Sequence, residues 1–213
     1  MRTTRIPVWA FLCIAAVMGV EAQTPPAVPL FDGKTLNGWE GDIGRTWRVE
    51  DGAIVGGSLT TTVPRNDFLV TTRDYANFIL RLDYKLEGTE GFLNSGIQFR
   101  SRRLDKPAYE MIGYQADIGT GYWGALYDEQ RRKRVLATPD QKTVLTHVRL
   151  GDWNRYEIHA EGRRIRLVLN GQQTVDYQET DETLPQTGLI GLQVHGGGKA
   201  LVRFRNITIQ ELR

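Results

Sequence analysis

The chain has 213 residues, a formal net charge of +2, 40% hydrophobic residues and one cysteine. Apolar content this high with so little net charge excludes a disordered chain, and the near-neutral balance leaves no electrostatic footprint for nucleic acid. A single cysteine excludes a disulfide framework and a cysteine-based zinc site, while 23 glycines exceed the usual ~7% and point to a turn-rich β protein.

At the N-terminus, Arg2 and Arg5 precede an uncharged apolar run from Val8 to Val20. The run is about 13 residues long, short of the ~20 that a spanning helix needs. Val20 and Ala22 stand at the third and first positions before a cut at Gln23. This layout predicts a secretory signal peptide over residues 1–22. The mature protein is then secreted or periplasmic, with no membrane span. Cys13 leaves with the signal, so no disulfide holds the mature chain. Residues 23–29 (QTPPAVP) read as a Pro-rich tether, and residues 30–213 as a single β-sandwich domain.

Strand signals fill the domain. Short candidates cover residues 46–50, 53–55 and 67–71. Residues 76–86 alternate cleanly, with Phe78, Leu80, Leu82, Tyr84 and Leu86 on one face and Arg81, Asp83 and Lys85 on the other. Period two over this length predicts a strand against a core. Further strands are predicted at residues 95–100, 109–118, 122–129, 155–161 and 163–169. Asn170-Gly171 then marks a tight hairpin into residues 173–177. Residues 188–195 and 200–209 complete the series. No window sustains a 3.6-residue apolar period beyond two turns, so the pattern predicts an antiparallel sandwich or jelly roll.

The same alternation sorts the polar faces. Asn94, Gln98 and Arg100 share one face of their strand. Tyr109, Met111, Gln115 and Asp117 share another, as do Gln193 and His195 near the end of the chain. Trp123, Tyr127 and Glu129 lie on one side of the 122–129 segment. Amides, arginine and carboxylates form the bidentate hydrogen bonds that sugar hydroxyls take. Aromatic rings supply flat platforms for sugar C–H faces, and Trp123, set among Gly119, Gly121 and Gly124, is the best platform. His159 reads as solvated, His147 lies in a loop-like stretch with no partner nearby in sequence, and Trp39, Trp47 and Trp153 read as packing residues. The glycine clusters fit neither a phosphate loop nor a dinucleotide motif. No GxSxG elbow, HExxH motif or paired-carboxylate strand signature is present.

Ordered motifs then carry a family resemblance. The segment Pro29-Leu30-Phe31-Asp32-Gly33-Lys34-Thr35-Leu36-Asn37-Gly38-Trp39 opens the domain. Trp47-Arg48-Val49-Glu50-Asp51-Gly52, Asn94-Ser95-Gly96-Ile97 and Gly113-Tyr114-Gln115-Ala116-Asp117 follow. Gly124-Ala125-Leu126-Tyr127, Asp152-Trp153-Asn154, Gly191-Leu192-Gln193 and Phe204-Arg205-Asn206-Ile207 close the series. The set, over about residues 29 to 211, resembles the 3-keto-disaccharide hydrolase family, also described as 3-keto-glucoside 1,2-lyase or 3-keto-2-hydroxyglucal hydratase. The resemblance implies a concanavalin A-like (laminin-G-like) antiparallel jelly-roll β-sandwich. In one respect the chain departs from the pattern. Met111 to Tyr114 separate Tyr109-Glu110 from Gln115, which leaves open whether Glu110 is a site residue.

The implied substrate is a small carbohydrate, a 3-keto-glucoside or 3-keto-disaccharide. A ketone at C3 acidifies the C2 hydrogen, so a base removes it, the C1 oxygen leaves, and water adds to the resulting enone. Such a reaction needs a general base and a stabiliser for the enolate oxygen. No nicotinamide or flavin is required, because the substrate arrives oxidised. The alternating faces, rather than the resemblance, suggest the roles. His195 suits the base as a residue type that titrates near neutral pH, with Asp117 and Glu129 as alternatives. Arg100, Gln98 or a divalent metal held by Asp117, Glu129 and His195 would stabilise the enolate. Asn94, Gln98, Tyr109, Gln115, Trp123, Tyr127 and Gln193 are the expected substrate-binding residues. A non-catalytic carbohydrate-binding module and a laminin-G-like adhesion domain fit the same face pattern.

Overall fold

The computed structural model describes residues 25–213. The expected signal peptide and the first residues of the tether lie outside this range. The described strands run in order β1 (Val28–Pro29), β2 (Trp39–Glu40), β3 (Trp47–Glu50), β4 (Ala53–Gly57), β5 (Asp67–Thr71), β6 (Phe78–Gly91), β7 (Asn94–Arg103) and β8 (Met111–Gly119). They continue with β9 (Leu126–Glu129), β10 (Arg134–Ala137), helix α1 (Gln141–Leu145), β11 (Asn154–Glu161), β12 (Arg164–Leu169), β13 (Gln172–Gln178), β14 (Leu189–Val194) and β15 (Gly198–Glu211).

Two antiparallel sheets face each other. One has the order β13-β12-β11-β6-β15-β4-β3, with β1 also paired to β15; the other has the order β10-β9-β8-β7-β14-β5-β2. This is the expected jelly-roll sandwich. Period two builds its core. Phe78, Leu80, Leu82 and Tyr84 from β6 and Tyr156 and Ile158 from β11 face Ile97 and Phe99 from β7 and Leu192 and Val194 from β14. All are buried. Phe78 and Phe99 meet edge to face across the sheets at 6.5 Å, and Phe99 stacks on Tyr114 at 5.7 Å.

Departures from the sequence pattern have local causes. The tether does not hang free at its end, because Val28 and Pro29 pair with Ile209 and Thr208 and the Pro25 carbonyl accepts from Gln210. The segment read as a strand from residue 122 starts only at Leu126. Gly121 and Gly124 have φ of +84° and +69°, and they close a turn in which the Ala125 N–H donates to the Tyr122 carbonyl at 3.0 Å. That turn drives Trp123 into the core. Strand β10 and helix α1 carry no periodic signal. The helix stands on its N-cap, where Asp140 accepts from the Thr143 N–H at 2.8 Å.

Candidate functional site

The site grows from the outer face of the seven-stranded sheet. Register places Gln193 beside Gly96 and Gly96 beside Asp117, across β14, β7 and β8. It places Gln98 beside Gln115 and Gln115 beside Tyr127, across β7, β8 and β9. Position 96 must be glycine here: a Cβ would lie 2.6 Å from the Gln115 Cδ. Gln115 therefore lies flat over β7. The Ser101 hydroxyl donates to Gln98 Oε1 at 2.7 Å, Gln98 Nε2 donates to Gln115 Oε1 at 2.9 Å, and Gln115 Nε2 donates to Asp117 Oδ1 at 2.7 Å. Each link fixes the next amide's orientation, and all four residues are buried.

This relay ends on acids held out of their ordinary ionisation range. Burial raises the Asp117 carboxyl well above the usual range; the Gln115 bond only partly offsets this, and nearby Glu129 raises it further. Asp117 thus favours its neutral acid form. Burial, reinforced by the charge of Glu110, pushes Glu129 up to about 7. Burial also raises Glu110, against the opposing pull of Asn66, Gln130 and His195, and its Oε2 is buried without a partner. Gln193 is fully buried, and neither amide atom has a partner among the described residues.

His195 is oriented from two sides. Its Nδ1 lies 2.7 Å from the Gly196 carbonyl oxygen. A carbonyl only accepts, so Nδ1 carries the proton and Nε2 is the basic nitrogen. The Phe92 ring meets the imidazole edge to face at 4.8 Å. The next residue is pinned as well, since the Gly196 N–H donates to Asn66 Oδ1 at 3.1 Å.

Six expected residues converge on one recess of about 160 Å³: Asn94, Gln115, Asp117, Tyr127, Glu129 and His195. Gln98 and Gln193 lie beneath it in the same sheet face. Three others are placed elsewhere. Arg100 sits at a register shift with φ of +46°, which takes it out of the alternation. Its guanidinium donates to the Ala76 and Gly162 carbonyls, Gln186 and Asn77, so it is a structural clamp and not an enolate stabiliser. Trp123 is core, which removes it as a sugar platform. Tyr109 stands in an adjoining groove under Arg65.

Asn66, Phe92 and Tyr122 also line the recess. Asn66 and Phe92 lie in turns, where no period-two cue exists. Tyr122 shares the glycine cluster with Trp123, so that cluster does carry an aromatic wall, one residue away from the expected one. Among the described residues no three His, Cys, Asp or Glu side chains come together as a metal-binding group. Asp117, Glu129 and His195 line one recess without grouping as a set of metal ligands. The residues present do not fit the expected divalent metal.

No helix among the described residues is long and apolar enough to cross a membrane. None of the curated protein sequences matches the chain. Several solved structures are similar to it. A candidate glycosyl hydrolase from Parabacteroides distasonis is 24% identical with a TM-score of 0.64, over 88% of this chain and 94% of that one. The carbohydrate-binding module CBM66 from Bacillus subtilis is 19% identical with a TM-score of 0.62, over 82% of this chain and 96% of that one. A Bacillus subtilis protein of unknown function with a galectin-like fold is 12% identical with a TM-score of 0.63, over 88% and 96%. At such identities the likeness establishes the fold. Residues 26–210 match the model of the 3-keto-alpha-glucoside-1,2-lyase-like domain, and the chain belongs to that carbohydrate-related family.

Proposed function

We propose that the protein cleaves 3-keto-glycosides by C2 proton abstraction and 1,2-elimination, followed by hydration. The observation that carries this reading is the paired state of the two acids in the recess. Asp117 is driven toward its neutral form and Glu129 up to about 7. Two acids of raised ionisation lining one recess with a histidine are suited to acid–base chemistry.

In this reading His195 Nε2 takes the C2 proton. Electron density moves onto the C3 oxygen, where the Asp117 acid proton, held in place by the amide relay, stabilises the enolate. The C1–O bond breaks, its electron pair leaves with the aglycone oxygen, and protonated Glu129 supplies that oxygen with a proton. Glu129, now a carboxylate, removes a proton from water as the water adds to C1. His195, whose captured proton has by then exchanged with solvent, delivers a proton to C2. The net change is hydrolysis of the glycosidic bond.

The likeness to a carbohydrate-binding module favours one rival, a domain that binds sugar without turnover. Incubation of the purified protein with a 3-keto-glucoside and with the unoxidised glucoside separates the two. Release of aglycone from the keto sugar alone supports the lyase reading. Binding of both sugars with turnover of neither overturns it. We further infer export, with cleavage before Gln23; N-terminal sequencing of the mature protein checks this, and an intact Met1 contradicts it.

A further inference from the structure

Two further grooves flank the recess, of about 360 and about 440 Å³, and both are lined by Asp42, Arg65 and Asp67. Chain continuity joins them to the site. Arg65 precedes Asn66, which lines the recess, and the Arg65 backbone packs so closely on Gly196 that a Cβ there would lie 2.5 Å from the Arg65 Cα. On the facing side, Tyr109 precedes Glu110, whose carboxyl is coupled to Glu129 and His195. The recess and the larger groove therefore lie side by side along the segment that carries Arg65 and Asn66.

The chemistry of these walls is specific. The Arg65 guanidinium lies over the Tyr109 ring at 4.5 Å from its centroid and has no ion-pair partner among the described residues. Asp67 is buried, with Oδ1 accepting from Trp47 Nε1 at 2.8 Å, and Oδ2 accepts no hydrogen bond from the described residues. A free guanidinium, a free carboxylate oxygen and a flat ring form a site for a neutral polyhydroxyl group. Hydroxyl pairs would take the charged atoms, and a C–H face would take the ring.

We propose that this groove is a second sugar subsite, in which Arg65 and Tyr109 hold the leaving sugar of a disaccharide substrate. This deepens the cleavage reading and rests on it for the term leaving group. The test has a binding arm and a turnover arm. By calorimetry the unoxidised disaccharide should bind about tenfold more tightly than methyl glucoside. Arg65→Ala and Tyr109→Ala should abolish that advantage, and Tyr109→Phe should retain it. In turnover, the ratio of kcat/KM for the 3-keto-disaccharide to that for methyl 3-keto-glucoside should fall about tenfold in both alanine variants. Equal binding of the two unoxidised sugars to the parent protein, or an advantage that survives both alanine variants, overturns the subsite. A binding advantage that behaves as expected, with no turnover of either keto sugar, leaves the subsite standing and overturns the cleavage reading.

Discussion

The two outer faces of the sandwich are built by the same strand alternation and end in opposite electrostatic states. On the eight-stranded sheet, charges pair at the surface. Arg81 Nε lies 3.0 Å from Glu157, Lys85 Nζ 3.1 Å from Glu87, and Arg203 bridges Glu50 and Glu87 at 3.5 Å. Arg205 covers the Trp153 ring at 3.8 Å. His159 joins this ladder beside Glu157, half-buried rather than fully solvated. On the seven-stranded sheet the polar residues are buried, uncharged amides predominate, and the acids have no basic partner holding them ionised. A face satisfied by its own charges has little to offer a ligand. A face with orphaned amide atoms and raised acids gains from one.

The sharpest way to break this contrast is to remove its chemistry. His195→Ala and Asp117→Asn should each lower kcat/KM on a 3-keto-glucoside by about a thousandfold while the melting temperature stays near that of the parent. Near-normal turnover would remove either residue from the site.

The next effect is on stability and contrasts two glutamates. Burial would push Glu179 up, but Arg132, the Asp181 N–H and the Tyr114 hydroxyl overcome it and hold Glu179 at about 2. Arg132 Nη2 lies 2.6 Å from its Oε2, and the same guanidinium binds buried Asp128. Glu179→Gln should cost about 3 kcal/mol, read by denaturant unfolding. The pH dependences have opposite signs. Glu179, lowered in the fold, gives stability that is present above the ordinary glutamate range and lost as pH falls toward about 2. Glu129, raised in the fold, makes stability fall as pH rises from the ordinary range to about 7. Glu129→Gln should remove that upper slope.

A third, smaller effect concerns rate against pH. Elimination needs protonated Glu129, so kcat/KM should decline above about pH 7. Glu129→Gln should lose that limb together with about a hundredfold in rate. A limb that persists in the variant reassigns the group. The smallest effect belongs to the paired face: Arg81→Ala should change stability by about 0.5 kcal/mol and leave turnover unaffected. A large loss of activity there would end the distinction between the faces.

Much of this contrast is legible in the sequence, because period two assigns faces wherever strands are regular. Residues 78–86 and 114–118 declare their inward and outward sets, and Asn94, Gln115, Asp117, Tyr127, Glu129 and His195 reach one recess as alternation requires. What stays hidden lies where alternation breaks. Arg100 leaves its face because the backbone enters a left-handed conformation at a register shift, which no side-chain pattern marks. Trp123 turns into the core and Tyr122 to the recess because the left-handed glycines Gly121 and Gly124 bend the chain on either side of them. Asn66 and Phe92 reach the site from turns, where position depends on tertiary closure and not on period. The ionisation of Asp117 and Glu129 is likewise invisible, since it comes from burial.

The central claim is that His195, set beside the buried acids, removes a proton from C2. Cleavage of a 3-keto-glucoside in deuterium oxide tests it directly, with the earliest product read by mass and by the C2 proton signal. Elimination and hydration predict one deuterium at C2 of the released 3-keto-glucose, and none when His195→Ala is used. Release of 3-keto-glucose that keeps its original C2 hydrogen would contradict the account.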